Sequence, residues 1–271
     1  MQNNFNNIHD NGLDGWGFSF RRSQLFRFKK YIEILKRYNI KGNILEIGCS
    51  TGFFTNILNS SLKEINLTAV DISEVAIDKA KAKYPSIKFS IDSLPNLNFK
   101  KNTLDCVMVI EMLYYLDDTD KIKSIDKIYN ILNKNSGGYI LVSVNIGEKP
   151  YFKLDEIRKL VSSKFNIICE DGLYIKSYYK YIEIKIWMIL ELFSSYNKFK
   201  IKGTDTALKK VAKNTINLFV KNKFTFFTIG FIIKTVCKIL LFCMPINLIN
   251  AVSKVVSKKE QSIYICLGKK K

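Results

Sequence analysis

The chain has 271 residues, 47% of them hydrophobic, enough to bury a full core and too many for a disordered tail. Its formal charge of +19 is spread unevenly: residues 1–150 hold 20 basic and 16 acidic side chains, whereas residues 198–271 hold 16 and 2. A near-neutral part beside a strongly basic one implies two jobs rather than one uniformly basic surface.

Residues 1–20 read as loop, with Trp16, Phe18 and Phe20 as anchors. Leu25, Phe28, Ile32 and Leu35 fall at helical spacing and predict a helix over 21–38, ended by Gly42. Alternation follows. Strands are expected at 44–47, 67–70, 87–91, 104–110, 139–144 and 165–169. Helices are expected at 55–62, at Glu74–Lys83 before Pro85, at 121–132 before Asn135 and Gly137, and at 154–163. Apolar strands interleaved with helices of this length mean parallel βαβ units, hence a doubly wound α/β sheet covered on both faces. After Gly172 the texture changes to aromatic and aliphatic runs broken by lysines, through about residue 260. QSIYICLG then alternates like a strand again. The expected layout is an N-terminal lid and helix over 1–38, a ligand-binding α/β domain over 39–174, a basic apolar helical insertion over 175–260, and a final strand with a basic tail over 261–271.

The six cysteines form no CxxC pair and sit mostly in apolar runs, so they read as reduced, packed thiols of a cytosolic protein. His9 is the only histidine, and no metal spacing exists. MQNNFNNIHDNG is too polar for a signal peptide.

The chemistry gathers at strand ends. ILEIGCSTGFF places one acid, Glu46, inside a buried strand and follows it with the small-residue turn Gly48-Cys49-Ser50-Thr51-Gly52. Such a turn lets backbone amides approach a ligand at a helix N-terminus. It is neither GxGxxG nor a P-loop, which would need a following Lys. Asp71, Asp92 and Glu111 end the next three strands. In an open α/β sheet such ends face one crevice, although each acid alone could merely cap a helix. A crevice with four acids and no phosphate-holding Lys suits a cationic nucleoside: S-adenosylmethionine offers a sulfonium, an amino group, a ribose diol and an adenine amine, all seeking acceptors.

ILEIGCSTGFFTNIL, LTAVDISEVAIDKAKAKYP, IKFSIDSLPNL, LDCVMVIEMLYYLDD and LNKNSGGYILVSV together resemble a class I S-adenosylmethionine-dependent methyltransferase over about residues 40–145. EMLYYL and the preceding basic helix are similar to nodulation-type N-methyltransferases that act on amino sugars. The resemblance implies a seven-stranded Rossmann-like sheet, with the insertion ahead of its last strand, and S-adenosylmethionine as cofactor. It implies that Gly48, Cys49 and Gly52 lie against the methionine and ribose, with Ser50 where the family usually has glycine. Glu46 would hold the turn and reach the amino group, Asp71 the ribose hydroxyls, Ile72 the adenine face, and Asp92, with Ser93 beside it, the adenine amine. Glu111 would sit where methyl group and acceptor meet, orienting an amine or taking its proton. Tyr114 and Tyr115 would wall the acceptor pocket. His9, Trp16, Arg21 and Arg22 are lid candidates.

Residues 224–233 and 239–253 are uncharged but too short to span a bilayer, and Pro245 interrupts the second. With Lys221, Lys223, Lys234, Lys238, Lys254, Lys258 and Lys259 around them, they fit a helix lying in the interface of an anionic membrane. A helical cap over the site and a membrane hairpin are the alternatives. The expected partner is therefore a sugar, lipid-linked or lipid-like acceptor at a membrane surface. RNA is the competing acceptor, but the aliphatic content differs from a solvated phosphate-tracking groove. A cofactor-binding protein without activity is the third reading.

Overall fold

The computed structural model describes residues 21–134, 137–186 and 243–271, together with residues 5, 6, 9, 18, 231, 232, 235–237, 239 and 240. Helix α1 spans Arg22–Arg37, and strand β1 follows at Gly42–Ile47. The alternation continues through α2 (Phe53–Ser61), β2 (Ile65–Asp71), α3 (Glu74–Lys83), β3 (Lys88–Ile91), β4 (Cys106–Ile110), α4 (Asp118–Ile131), β5 (Tyr139–Asn145), α5 (Leu154–Ser162) and β6 (Phe165–Tyr174). A helical turn at Lys176–Tyr178 runs into a π-helical turn at Tyr179–Glu183. Helix α6 (Ile246–Val256) precedes the last strand, β7 (Gln261–Lys270).

The seven strands form one sheet in the order β3-β2-β1-β4-β5-β7-β6. Neighbours from β3 to β5 are parallel, and β7 runs antiparallel between β5 and β6. This is the seven-stranded Rossmann-like sheet that the resemblance implies, with residues 175–260 ahead of its final strand. Alternating strand residues feed two cores. Leu45, Ile47, Val107 and Val109 pack toward Ile125 and Ile128 of α4. Ile44, Cys106, Met108 and Leu141 pack toward Phe28 and Leu35 of α1 and Leu58 of α2. All five residues of β4 are buried, which explains its unbroken apolar run.

Some boundaries differ from the pattern reading. Helix α2 starts at Phe53, two residues early, because Gly52 turns the chain in a left-handed conformation (φ 74°). Strand β6 runs on to Tyr174, past the expected end at residue 169, because Asp171, Gly172 and Leu173 pair with β7. The buried face of α1 is rotated: Gln24, Arg27 and Tyr31 are buried beside Phe28 and Leu35, whereas Leu25 and Ile32 are only partly covered. Trp16, Phe20, the lysines at 221, 223, 234 and 238 and most of residues 224–233 lie outside the described residues. Among those described, no helix is long and apolar enough to cross a membrane, and the six cysteines are unpaired.

Candidate active site

The strand order reverses between β1 and β4, and ligands of such sheets sit at that switch point, beyond the carboxyl ends. A cavity of ≈ 290 Å³ opens there, near the lower end of the roughly 300–1,000 Å³ of small-molecule sites. The turn after β1 forms its floor. Gly48 adopts φ 83° and Ser50 φ 51°. The N–H groups of Gly48 and Cys49 donate to the Val70 carbonyl at 2.8 and 3.1 Å, which ties the turn to β2.

Glu46, Asp71, Asp92 and Glu111 all line this one cavity, as do Gly48, Cys49, Ser50, Ile72, Ser93 and Tyr114. Gly52 does not. A Cβ there would stand 2.8 Å from Phe89 Cζ, so its smallness serves helix–sheet packing and the turn, not the crevice. Cys49 packs with Ala69, Ile77 and Ala80, and burial, with the charges of Glu46 and Asp71 behind it, pushes its thiol well up, so it is inert.

The acids differ in what they already hold. Asp71 accepts the Ser50 N–H at 2.8 Å and the Ser73 N–H at 2.9 Å. Burial raises its carboxyl, and these two amides partly offset that. Asp92 braces its own loop, accepting from the Ser93 and Asn98 amides at 2.8 and 2.9 Å. Glu46 is 2% exposed, and its Oε2 has no partner among the described residues. Burial pushes its carboxyl up to about 7; the nearby Thr55 hydroxyl works against that shift and Asp71 adds to it.

Glu111, at φ 54°, opens the other half of the cavity. Its Oε1 accepts from the Ser143 hydroxyl at 2.8 Å, lies 3.4 Å from Arg27 Nη1, and is braced further by Tyr31, whose hydroxyl donates to Ser143 Oγ. Among the described residues its Oε2 has only the Tyr114 hydroxyl, at 3.4 Å. Burial holds Tyr114 far above the usual phenol range, with Glu111 adding to the shift, so it stays neutral. Arg27, Tyr31 and Ser143 are absent from the pattern reading. A signal existed, since Gln24, Arg27 and Tyr31 fall at i, i+3 and i+7 on one helix face.

Phe5, His9 and Phe18 also line the cavity. Phe5 meets Tyr115 edge-on at 5.2 Å, Asn6 accepts from Ser73 Oγ at 2.7 Å, and Lys79 Nζ donates to the His9 carbonyl. His9 is buried in the cavity wall, and that burial lowers its imidazole despite Asp71 nearby. Arg21 lines the cavity and pairs with Glu183; Arg22 is not among the lining residues.

Residues 44–135 match the family model described as a methyltransferase domain. An uncharacterised protein of Methanocaldococcus jannaschii is 30% identical over 200 residues, 69% of this chain and 81% of that one. Malonyl-[acyl-carrier protein] O-methyltransferase 1 of Ilyobacter polytropus is 26% identical over 152 residues, 48% of this chain. This chain belongs to the class I S-adenosylmethionine-dependent methyltransferases. It spans about half the length of the Ilyobacter relative, 54%. The N-methyltransferase NodS of Bradyrhizobium japonicum, solved with S-adenosylhomocysteine, superposes with TM-score 0.54 at 20% identity, over 62% of this chain and 89% of that one; at that identity it speaks for the fold.

The methyltransferase cofactor fits what the residues leave open. Among the described residues, Glu46 Oε2 is a buried acceptor lacking a partner, and no Lys or Arg stands with Glu46, Asp71 and Asp92 on the β1–β3 side of the cavity wall. A cation in that half would satisfy the orphan and relieve the crowding of carboxylates.

Proposed function

We propose that this methyltransferase moves the methyl group of S-adenosylmethionine to an amine or hydroxyl of a sugar, lipid-linked glycan or lipid-like acceptor at a membrane surface. The observation that carries the donor side is the unpartnered Glu46 carboxylate oxygen inside an acidic half-cavity. Glu46 and the turn at Gly48, Cys49 and Ser50 would hold the amino-acid end. Asp71 and Ile72 would hold ribose and adenine, and Asp92 and Ser93 the adenine edge. Bound there, S-adenosylmethionine supplies a methyl group on a sulfonium, so positioning and exclusion of water provide most of the rate. Glu111 Oε2 and Tyr114 face the place where an acceptor would meet it.

Exposed apolar stripes support the membrane side. Ile232, Val236, Ile239 and Leu240 stand at i, i+4, i+7 and i+8, and all are exposed. On α6, Leu248, Val252 and Val255 repeat i, i+4 and i+7, with Val255 88% exposed. The opposite face of α6 is anchored: Ile246 is buried, and Asn250 Oδ1 accepts the Tyr174 N–H at 2.7 Å. Apolar stripes on a chain whose residues 198–271 carry 16 basic side chains suit an anionic lipid interface.

The test uses methyl-labelled S-adenosylmethionine with the full chain and a membrane extract. Label should enter the lipid or lipid-linked fraction, and Asp71→Ala should abolish the transfer and weaken S-adenosylhomocysteine binding at least tenfold. Label found in RNA instead, or undiminished transfer by Asp71→Ala, would overturn the reading.

A further inference from the structure

The cavity is electrically divided. Over β1–β3 its acids are Glu46, Asp71 and Asp92; over β4, β5 and β7, helix α1 brings Arg27 to the wall, with Arg21 just ahead of the helix. The Arg21 charge is matched by Glu183, which is wholly buried. Arg27 is matched less well. It is 5% exposed. Its Nη2 donates to Gln24 Oε1. Its Nη1 stands 3.4 Å from Glu111 Oε1, longer than the roughly 2.7–2.9 Å of a charge-assisted bond. That oxygen is already engaged by Ser143. Arg27 Nε has no partner among the described residues. A buried donor left unmet is costly, and more so on a charged group. Here it belongs to a residue of the cavity wall, in the half beyond Glu111.

We propose that Arg27 forms an oxyanion subsite: the methyl acceptor carries a carboxylate or phosphate group that docks on the Nε edge of its guanidinium. A planar fork of donors matches two oxygens of one anion, which a lysine would not do. The division of charge then sorts the two substrates. The acidic half holds the sulfonium and repels the acceptor's anion; the guanidinium half does the reverse. The subsite rests on the methyltransferase reading, because it takes the half-cavity beyond Glu111 as the acceptor's.

The full chain, saturated with S-adenosylhomocysteine, is titrated with sodium phosphate and with acetate at constant ionic strength, acetamide serving as the neutral match to acetate. Thermal shift and calorimetry should give saturable binding of phosphate or acetate and none of acetamide, the tighter anion naming the acceptor's group. Arg27→Gln should weaken that binding at least tenfold, Arg27→Lys less, and Lys36→Gln, exposed on the same helix, not at all. Acetamide equal to acetate, anion binding undiminished in Arg27→Gln, or an equal loss in Lys36→Gln would overturn the subsite. Should Arg27→Gln not fold, the anion–acetamide contrast in the parent decides alone. Failure to bind S-adenosylhomocysteine would count against the methyltransferase reading instead, whereas intact binding of it with no response to either anion sinks only the subsite.

Discussion

Replacing Glu46 with Gln should change how stability and donor binding depend on pH. Burial raises the Glu46 carboxyl from 4.5 to about 7. Between those values the folded chain holds a proton that the unfolded chain has released. Stability from this group is therefore complete below about pH 4.5 and falls as pH rises toward 7. A gap of about 2.5 units corresponds to about 3 kcal/mol of destabilisation above pH 7 in the absence of ligand. Glu46→Gln removes the charge at nearly constant volume, so above pH 7 the variant should melt roughly 5–10 °C higher than the parent. Near pH 4.5 the two should coincide. Taking the difference between parent and variant cancels the contribution of His9, whereas the part that Asp71 adds to the Glu46 shift stays within the difference. Binding of the sulfonium donor reverses the sense, since a cation beside Glu46 favours its ionised form. The parent should then release up to one proton on binding at pH 6, and its affinity should climb by as much as tenfold per unit between about pH 5 and 7. Calorimetry in two buffers of different ionisation enthalpy counts that proton. A parent–variant gap in melting temperature that does not move with pH, or equal proton release by both proteins, would refute the argument.

Gly52→Ala should cost about 2 kcal/mol, because φ 74° is strained for alanine and the new Cβ would meet Phe89 Cζ at 2.8 Å. An unchanged denaturation midpoint would show that the turn relaxes freely. The double substitution Val252→Asp with Val255→Asp places two charges on the exposed stripe of α6 without touching its anchored face, and should cut sedimentation with anionic vesicles at least tenfold while leaving S-adenosylhomocysteine affinity unchanged. Equal sedimentation would remove α6 from any membrane contact.

Much of the fold can be read from the residues because the sheet is buried on both sides. VMVI and LEI admit few other structures, and the acids that interrupt them mark where strands meet the crevice. The antiparallel place of β7 is not in its own pattern, which reads only as alternation; it emerges from the pairing with β5 and β6. Strand β6 looked short because Glu170, Asp171 and Gly172 resemble a loop, yet their backbone is claimed by β7. Arg27 was hidden for a related reason. Among Arg21, Arg22, Lys29 and Lys30 it looks like one more solvated charge, and the tertiary contact with Glu111 shows it to be interior. Position along the chain told which acids reach the cavity, but not which of them still lack a partner.

That last distinction bears on the acceptor atom. A hydroxyl needs its proton removed during transfer, whereas a neutral amine needs only its lone pair aimed at the methyl carbon. Tyr114 is held neutral by burial, so it donates rather than takes a proton. Glu111 is pinned through Oε1 by Ser143 and Arg27, leaving Oε2 to accept an N–H or O–H. Among the described residues the only histidine stands beside Asp71 and Lys79, on the cofactor side. Among the described residues this half-cavity offers the fixed Glu111 carboxylate and phenols such as Tyr114 but no imidazole, a set that orients a nucleophile better than it deprotonates one. Within the proposed function this favours an amine over a hydroxyl, and with Arg27 beside it, an amine on a molecule that also bears an anion.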